Sequence, residues 1–257
     1  MQVVPKTLLL EKMHMPKQEH EMRNALEMPQ SAIVLHGIAA RVVRRIPALA
    51  DKFVNAGDVA SFVRWQSASF DETVKLFWKR EELWQQMSSH LDPTRPLFVL
   101  EFGVAWGYAT EHWLTMLKRA DVEWHGFDRF TGLPRGWRGL PEGEFDAGGQ
   151  TPEIDDPRVT WHVGDIEDTL SNVDIASAID AQWLVLFDLD IYEPTAEAWR
   201  VLSPMLKRGD LLYFDEAIDA DERRVLNEMV LPSGRYSPIG ATSLALGLKV
   251  TEPPSAA

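Results

Sequence analysis

Residues 97–107 read Leu-Phe-Val-Leu-Glu-Phe-Gly-Val-Ala-Trp-Gly, an apolar run that meets an acid and then turns on glycine. A buried strand running into a glycine-hinged turn, followed by a helix, is how α/β proteins bring backbone close to a nucleotide-like ligand. The glycines, Gly103 and Gly107, are spaced G-x-x-x-G. That is not the G-x-G-x-x-G of dinucleotide binding, which argues against a NAD-dependent dehydrogenase.

The pattern then alternates. A helix is expected over 108–120, strands over 123–127 and 159–163, and a continuously apolar strand over 183–187, buried on both faces. A helix over 195–207 ends at Gly209, and a strand follows over 211–214. Alternation of this kind predicts a parallel sheet wrapped by helices. Residues 236–240 and 244–250 read as an antiparallel pair closing one edge. Residues 131–157, rich in Gly, Pro, Asp and Arg, form a long insertion of the sort that serves as a lid or binding loop.

Upstream, residues 31–90 read as mostly helical, with Phe62, Trp65, Val74, Phe77, Trp78 and Leu83 recurring at three- and four-residue steps. Residues 1–30 are polar and Met-rich, and firm order is not expected there. The breaker Leu-Asp-Pro-Thr-Arg-Pro at 91–96 suggests a division into a helical N-terminal extension, 1–95, and a sheet domain, 96–257.

Composition narrows the partners. A chain of 257 residues with a net charge of −13 is poorly suited to phosphate backbones or anionic membranes. The absence of cysteine removes disulfides, thiolate zinc sites and a cysteine nucleophile. The N-terminus lacks the pattern of a signal peptide, and the longest apolar stretch near it is far shorter than the ~20 residues that span a bilayer. The expectation is a cytoplasmic protein acting on a small molecule, without nucleic acid or membrane.

In open parallel sheets, ligands bind at the carboxyl ends of the strands. The first strand ends at Glu101 and Gly103. The second ends at Asp128, at the distance expected of a carboxylate that accepts hydrogen bonds from ribose hydroxyls. The third ends at Gly164 and Asp165, the fourth at Asp188 with Asp190 two residues on, and the fifth at Asp215 and Glu216. Five strand ends carrying acids to one edge favour a site. Glu101 before the first glycine is a pattern of S-adenosylmethionine (SAM) sites. Neighbouring strands lie about 4.8 Å apart, so Asp188, Asp215 and Glu216 can converge on a hard cation such as Mg²⁺. The same acids can equally cap loops or bond backbone. His112, His125 and His162 have no partner at metal spacing. Trp106, inside the turn, is placed next to any ligand. Arg135 and Arg138 lie in the long loop, where solvation is their expected state.

Five segments carry a resemblance. They are Val-Leu-Glu-Phe-Gly-Val-Ala-Trp-Gly at 99–107, Gly-Phe-Asp-Arg-Phe-Thr-Gly-Leu-Pro at 126–134, Gly-Asp-Ile-Glu-Asp-Thr-Leu at 164–170, Phe-Asp-Leu-Asp-Ile-Tyr-Glu-Pro-Thr at 187–195, and Phe-Asp-Glu at 214–216. Their order resembles the macrocin O-methyltransferase-like (TylF-like) group of class I SAM-dependent methyltransferases over residues 96–217. The resemblance implies a Rossmann-like, seven-stranded, mostly parallel sheet with the last strand antiparallel. It implies SAM held over Glu101, Gly103, Val104, Ala105 and Gly107, with its ribose on Asp128 and its adenine near Asp165 and Ile166; Arg129, Gly164 and Asp188 complete the candidate cofactor-binding set. It also implies Mg²⁺ on Asp188 with Asp215 or Glu216. Many relatives carry two aspartates after the fifth strand, where this chain has Asp215-Glu216.

The expected activity is a SAM-dependent O-methyltransferase acting on a hydroxyl of a small sugar or natural-product intermediate, with or without Mg²⁺. Asp188 is the candidate catalytic residue, and the Trp-bearing N-terminal helices are a candidate homodimer surface. Two alternatives stay open: a metal-dependent nucleotide-sugar glycosyltransferase using Asp188-Leu189-Asp190, and a non-catalytic SAM-binding protein.

Overall fold

Four phenylalanines set the frame. Phe127, Phe102, Phe187 and Phe214 occupy equivalent positions on four adjacent parallel strands. Their rings stack at centroid separations of 5.0, 5.7 and 4.7 Å. In this computed structural model, which describes residues 48–255, the strands are β1 (Leu97–Phe102), β2 (Val122–Asp128), β3 (Val159–Val163), β4 (Gln182–Phe187), β5 (Leu211–Phe214), β6 (Arg235–Ala241) and β7 (Leu246–Glu252). They form one seven-stranded sheet in the order β3-β2-β1-β4-β5-β7-β6. All neighbours are parallel except β7, which runs antiparallel to both β5 and β6. The order reverses between β1 and β4, which opens a crevice at their carboxyl ends.

The α-helices of four or more residues are α1 (Ala48–Ser69), α2 (Arg80–Ser88), α3 (Tyr108–Met116), α4 (Ile166–Thr169), α5 (Tyr192–Leu202) and α6 (Ala220–Val225). They cover both faces of the sheet. Side chains alternate along a strand, so Phe98, Leu100 and Phe102 enter one core with Phe62 of α1, Trp199 and Leu202 of α5, and Val225 of α6. Leu97 and Val99 enter the other with Leu83, Trp84 and Met87 of α2 and Trp113 of α3. Burial on both faces explains why β1 and β4 are apolar throughout.

The chain divides into compact units at Ala56/Gly57. Near residue 95, where the breaker suggested a division, α2 shares the sheet's own core. The readings of residues 1–30 and of the first part of 31–90 lie outside the described residues. Residues 70–79 are not helical, contrary to the apolar spacing. Phe77 N donates to the Ala241 carbonyl and Ala241 N to the Lys75 carbonyl, each at 2.8 Å, so this segment pairs with the exposed edge of β6. An unpaired sheet edge offers backbone hydrogen bonds that outweigh a short helical preference. The helix expected over 108–120 stops at Met116, where Leu117 leaves helical geometry (φ −87°, ψ 80°) to be buried beside the sheet. The helix expected over 195–207 begins earlier, at Tyr192, and ends at Leu202.

Beyond the phenylalanine row, the next residues are Asp128, Gly103, Asp188 and Asp215, in that spatial order. Ladder bonds carry the register one step further: Gly103 N to Phe127 O (2.9 Å), Asp188 N to Phe102 O (2.8 Å) and Asp215 N to Phe187 O (2.9 Å). Gly103 sits at φ +85°, and a Cβ there would overlap the Asp188 carbonyl oxygen. A side chain is excluded both by conformation and by the β4 backbone. Gly103→Ala should therefore destabilise the protein by about 3 kcal/mol or more. Gly139→Ala, at φ +84° with nothing within 4 Å, should cost only about 1–2 kcal/mol. Urea unfolding of both variants checks the difference, and equal losses would remove the close approach as its cause.

Candidate active site

The row of strand ends lines a cavity of about 830 Å³, within the range of about 300–1,000 Å³ that holds small-molecule ligands. Every residue expected to bind SAM, except Gly107, lies in its wall: Glu101, Gly103, Val104, Ala105, Asp128, Arg129, Gly164, Asp165, Ile166 and Asp188. Gly107 is buried behind it, at φ +80°, where a Cβ would press on Pro152 of the long loop. Trp106, 64% exposed, lies edge-on to Phe145 at the mouth.

The carboxylates do different things. Asp128 turns its charge on the hinge. Its Oδ2 accepts from Val104 N (2.8 Å) and Ala105 N (2.7 Å), and its Oδ1 from Phe130 N (2.7 Å). Three backbone donors on one carboxylate hold the turn after β1 in place, each charged hydrogen bond worth about 1.5–3 kcal/mol. Only one lone pair of Oδ1 is left for a ribose hydroxyl. Asp165 is exposed and pairs with Arg129 at 3.3 Å.

Glu101 is buried in the floor. Its Oε2 accepts from the Thr110 hydroxyl and from Trp124 Nε1 (2.9 Å), while Oε1 has no partner. Burial, outweighing these two bonds, pushes its pKa up from 4.5 to about 7. A buried carboxylate oxygen left without a partner, on a residue that lines a cavity, is suited to an ammonium group. The turn, the orphaned oxygen and the cavity together fit an adenosyl amino acid such as SAM.

The other end of the cavity is crowded with acids, four in its wall and a fifth, Glu222, buried beside Glu216. Asp188, Asp190, Asp215, Glu216 and Glu222 are each pushed above the ordinary carboxylate range, first by burial and then by neighbouring negative charge. For Asp215 the nearest charge, Arg80, opposes the rise. Asp190 reaches about 7 and Glu216 about 8. Asp190 is also held at φ +64°, a strained geometry for an aspartate and one that clusters at functional sites. Two arginines offset the excess charge. Arg80 Nη1 lies 3.3 Å from Asp215 Oδ2, and Tyr213 donates its hydroxyl to Asp215 Oδ1. Arg138 lies 3.0 Å from Glu216 and 3.6 Å from Asp219.

The donor chemistry suits Mg²⁺, but the arrangement does not. Among the described residues, no three His, Asp or Glu side chains are grouped to hold an ion. Asp215 and Glu216 are each turned to an arginine instead. Arg138 is thus not the solvated loop residue expected. Arg135 likewise bonds Glu193 (3.2 Å) and Asp221 (2.9 Å). With Leu133 and Trp137 packed on Ile191, these contacts fold residues 131–157 over the cavity. The described histidines do not line the cavity: His125 bonds His162 and Glu123, each at 2.9 Å. Of the polar groups at this end, Asp190 carried a signal in the Asp-x-Asp at 188–190, whereas Arg80 in the wall and the fully buried Glu222 carried none.

No protein-family model matches the chain, and no curated protein sequence matches it. Solved structures do. Calicheamicin methyltransferase CalS11 is 20% identical, with 66% of this chain and 79% of its own covered at a TM-score of 0.51. The O-methyltransferase NovP is 19% identical over 67% and 80% of the two chains, with a TM-score of 0.46. At 20% identity the likeness to CalS11 shows the fold alone, a Rossmann-like, mostly parallel sheet. No helix among the described residues is long and apolar enough to cross a membrane.

The orphaned Glu101 oxygen yields a signed pH dependence. Between pH 4.5 and 7 the folded protein keeps a proton that the unfolded chain has lost. Stability contributed by Glu101 is therefore complete below pH 4.5 and declines by up to about 1.4 kcal/mol per pH unit as pH rises to 7. Glu101→Gln should remove that decline. Urea unfolding of the ligand-free protein should show the variant gaining on the wild type from pH 5 to pH 7, and parallel curves would contradict it.

Proposed function

We propose that the protein is a SAM-dependent O-methyltransferase acting on a hydroxyl of a small molecule, of the macrocin O-methyltransferase-like kind that the strand-end motifs resemble. The observation that carries the reading is the pairing, in one cavity, of an unpartnered buried carboxylate oxygen beside the glycine hinge with a second carboxylate, Asp188, of raised proton affinity. The fold shared with CalS11 supports it.

In this reading Glu101 Oε1 takes the ammonium of SAM, and the Gly103–Gly107 turn lies along its amino-acid portion. Asp128 and Arg129 face the ribose, and Gly164, Asp165 and Ile166 face the adenine. The bound nucleoside supplies an activated methyl group. Asp188 accepts the proton of the acceptor hydroxyl as oxygen bonds to the methyl carbon and the sulfur–carbon bond breaks, leaving an ether and S-adenosylhomocysteine. A carboxylate of raised proton affinity is a stronger base, and holding two reactants in line supplies much of the rate. Sugar and natural-product hydroxyls are the acceptor class proposed. Residues 131–157 supply part of its pocket through Leu133, Trp137 and Phe145. Homodimerisation through the N-terminal helices is part of the same proposal, and sedimentation at micromolar concentration tests it.

Titration calorimetry with S-adenosylhomocysteine should give one site per chain. Glu101→Ala should weaken it by roughly tenfold or more, since a charge-assisted bond is lost. Asp188→Asn should keep the binding and lose transfer of labelled methyl to any acceptor found in a panel of glycosides and phenols. Absence of binding to the wild type would end this reading, and transfer undiminished in Asp188→Asn would end the role of Asp188.

A further inference from the structure

Arg80 opens α2 and so reaches the strand ends from outside the sheet. It lines the same cavity as Asp188 and Asp215. Its guanidinium is held between partners of two kinds. One is the Asp215 carboxylate, 3.3 Å away. The others are the rings of Trp84 and Tyr108, whose centroids lie 5.4 and 5.1 Å from its central carbon. Tyr108 is itself anchored through its hydroxyl to Glu81 at 2.7 Å. Trp84 is fully buried. Cation–π contact on two rings fixes the plane of the group, as a surface ion pair alone does not. Although burial works against its charge, the fields of Asp215 and Asp188 outweigh that and raise its pKa. Glu216, the third candidate metal ligand, is engaged by Arg138.

We infer that Arg80 is the resident cation of this site: its guanidinium occupies the role, beside Asp188 and Asp215, that a divalent metal ion would otherwise fill. Guanidinium carries five N–H donors in a fixed fork and cannot lose its proton in a protein. One donor meets Asp215, and others remain for an oxygen of the acceptor. Under the proposed function, that makes Arg80 a positioning residue for the hydroxyl that Asp188 deprotonates. The charge placement itself does not depend on that function.

Mn²⁺ is a suitable probe, because its aquo signal in electron paramagnetic resonance falls when the ion binds. With the full wild-type chain and no added nucleoside, the signal at one equivalent should stay at full amplitude. Arg80→Met removes the charge and leaves Asp188 and Asp215 unbalanced, so Mn²⁺ should bind roughly tenfold tighter or more, one ion per chain. Adding Asp215→Asn should abolish that gain. Arg80→Lys keeps a positive charge and should behave as wild type. Circular dichroism melts confirm folding, and should Arg80→Met not fold, Arg80→Gln keeps contact with Trp84 and Tyr108 and is read the same way. A wild type that binds Mn²⁺ and loses it on Asp215→Asn overturns the inference, and so does a folded Arg80→Met or Arg80→Gln with no gain. Neither result bears on nucleoside binding, which calorimetry reads separately.

Discussion

The approach of the β1 hinge to the β4 backbone is the contact on which the rest depends. Gly103 leaves no room for a side chain against the Asp188 carbonyl, so two strand ends meet where the sheet order reverses. Everything functional radiates from that point. Asp128, one strand over, binds the amides of Val104 and Ala105 and keeps the turn open. Asp188, on the other side, is fixed at the mouth of the same crevice. The phenylalanine row beneath sets all of these residues at one height. The cavity follows from backbone register more than from any single side chain.

The second constraint is charge. An acidic chain has placed four carboxylates at one end of its cavity and a fifth, Glu222, buried beside Glu216, and burial raises the proton affinity of each. Such a cluster persists only if neutralised by protons, cations or both. Glu222, with one oxygen unpartnered in the interior, is held toward its neutral form. Arg80 and Arg138 stand against the others. Both come from segments outside the sheet, α2 and the long loop. The chemistry of the strand ends is thus completed by parts of the chain that carry no motif.

Much of this was legible from the residues. The strands are long apolar runs with acids at their ends, and alternation with helical segments implies a parallel sheet. A closing antiparallel pair was visible too. The carboxylates reach one edge as expected, because each follows an apolar strand of matched length. Less legible was what each acid touches. Glu101 and Asp128 looked alike as strand-end acids, yet one is buried with a free oxygen and the other is spent on backbone amides. That difference is set by Thr110, Trp124 and Phe130, which no spacing rule connects. The extended run at 70–79 was missed because its partner, the β6 edge, is about 165 residues away. Apolar three- and four-residue spacing does not reveal such long-range pairing. Arg80 was missed for the same reason: its partner Asp215 is 135 positions distant.

Amide hydrogen exchange at Val104 and Ala105 tests the central claim most directly. If the hinge is preformed by Asp128 and seats an adenosyl nucleoside, both amides should exchange slowly in the ligand-free protein. They should slow further on saturation with S-adenosylhomocysteine. Rapid exchange at both positions in a protein otherwise fully protected, unchanged by the nucleoside, would contradict it.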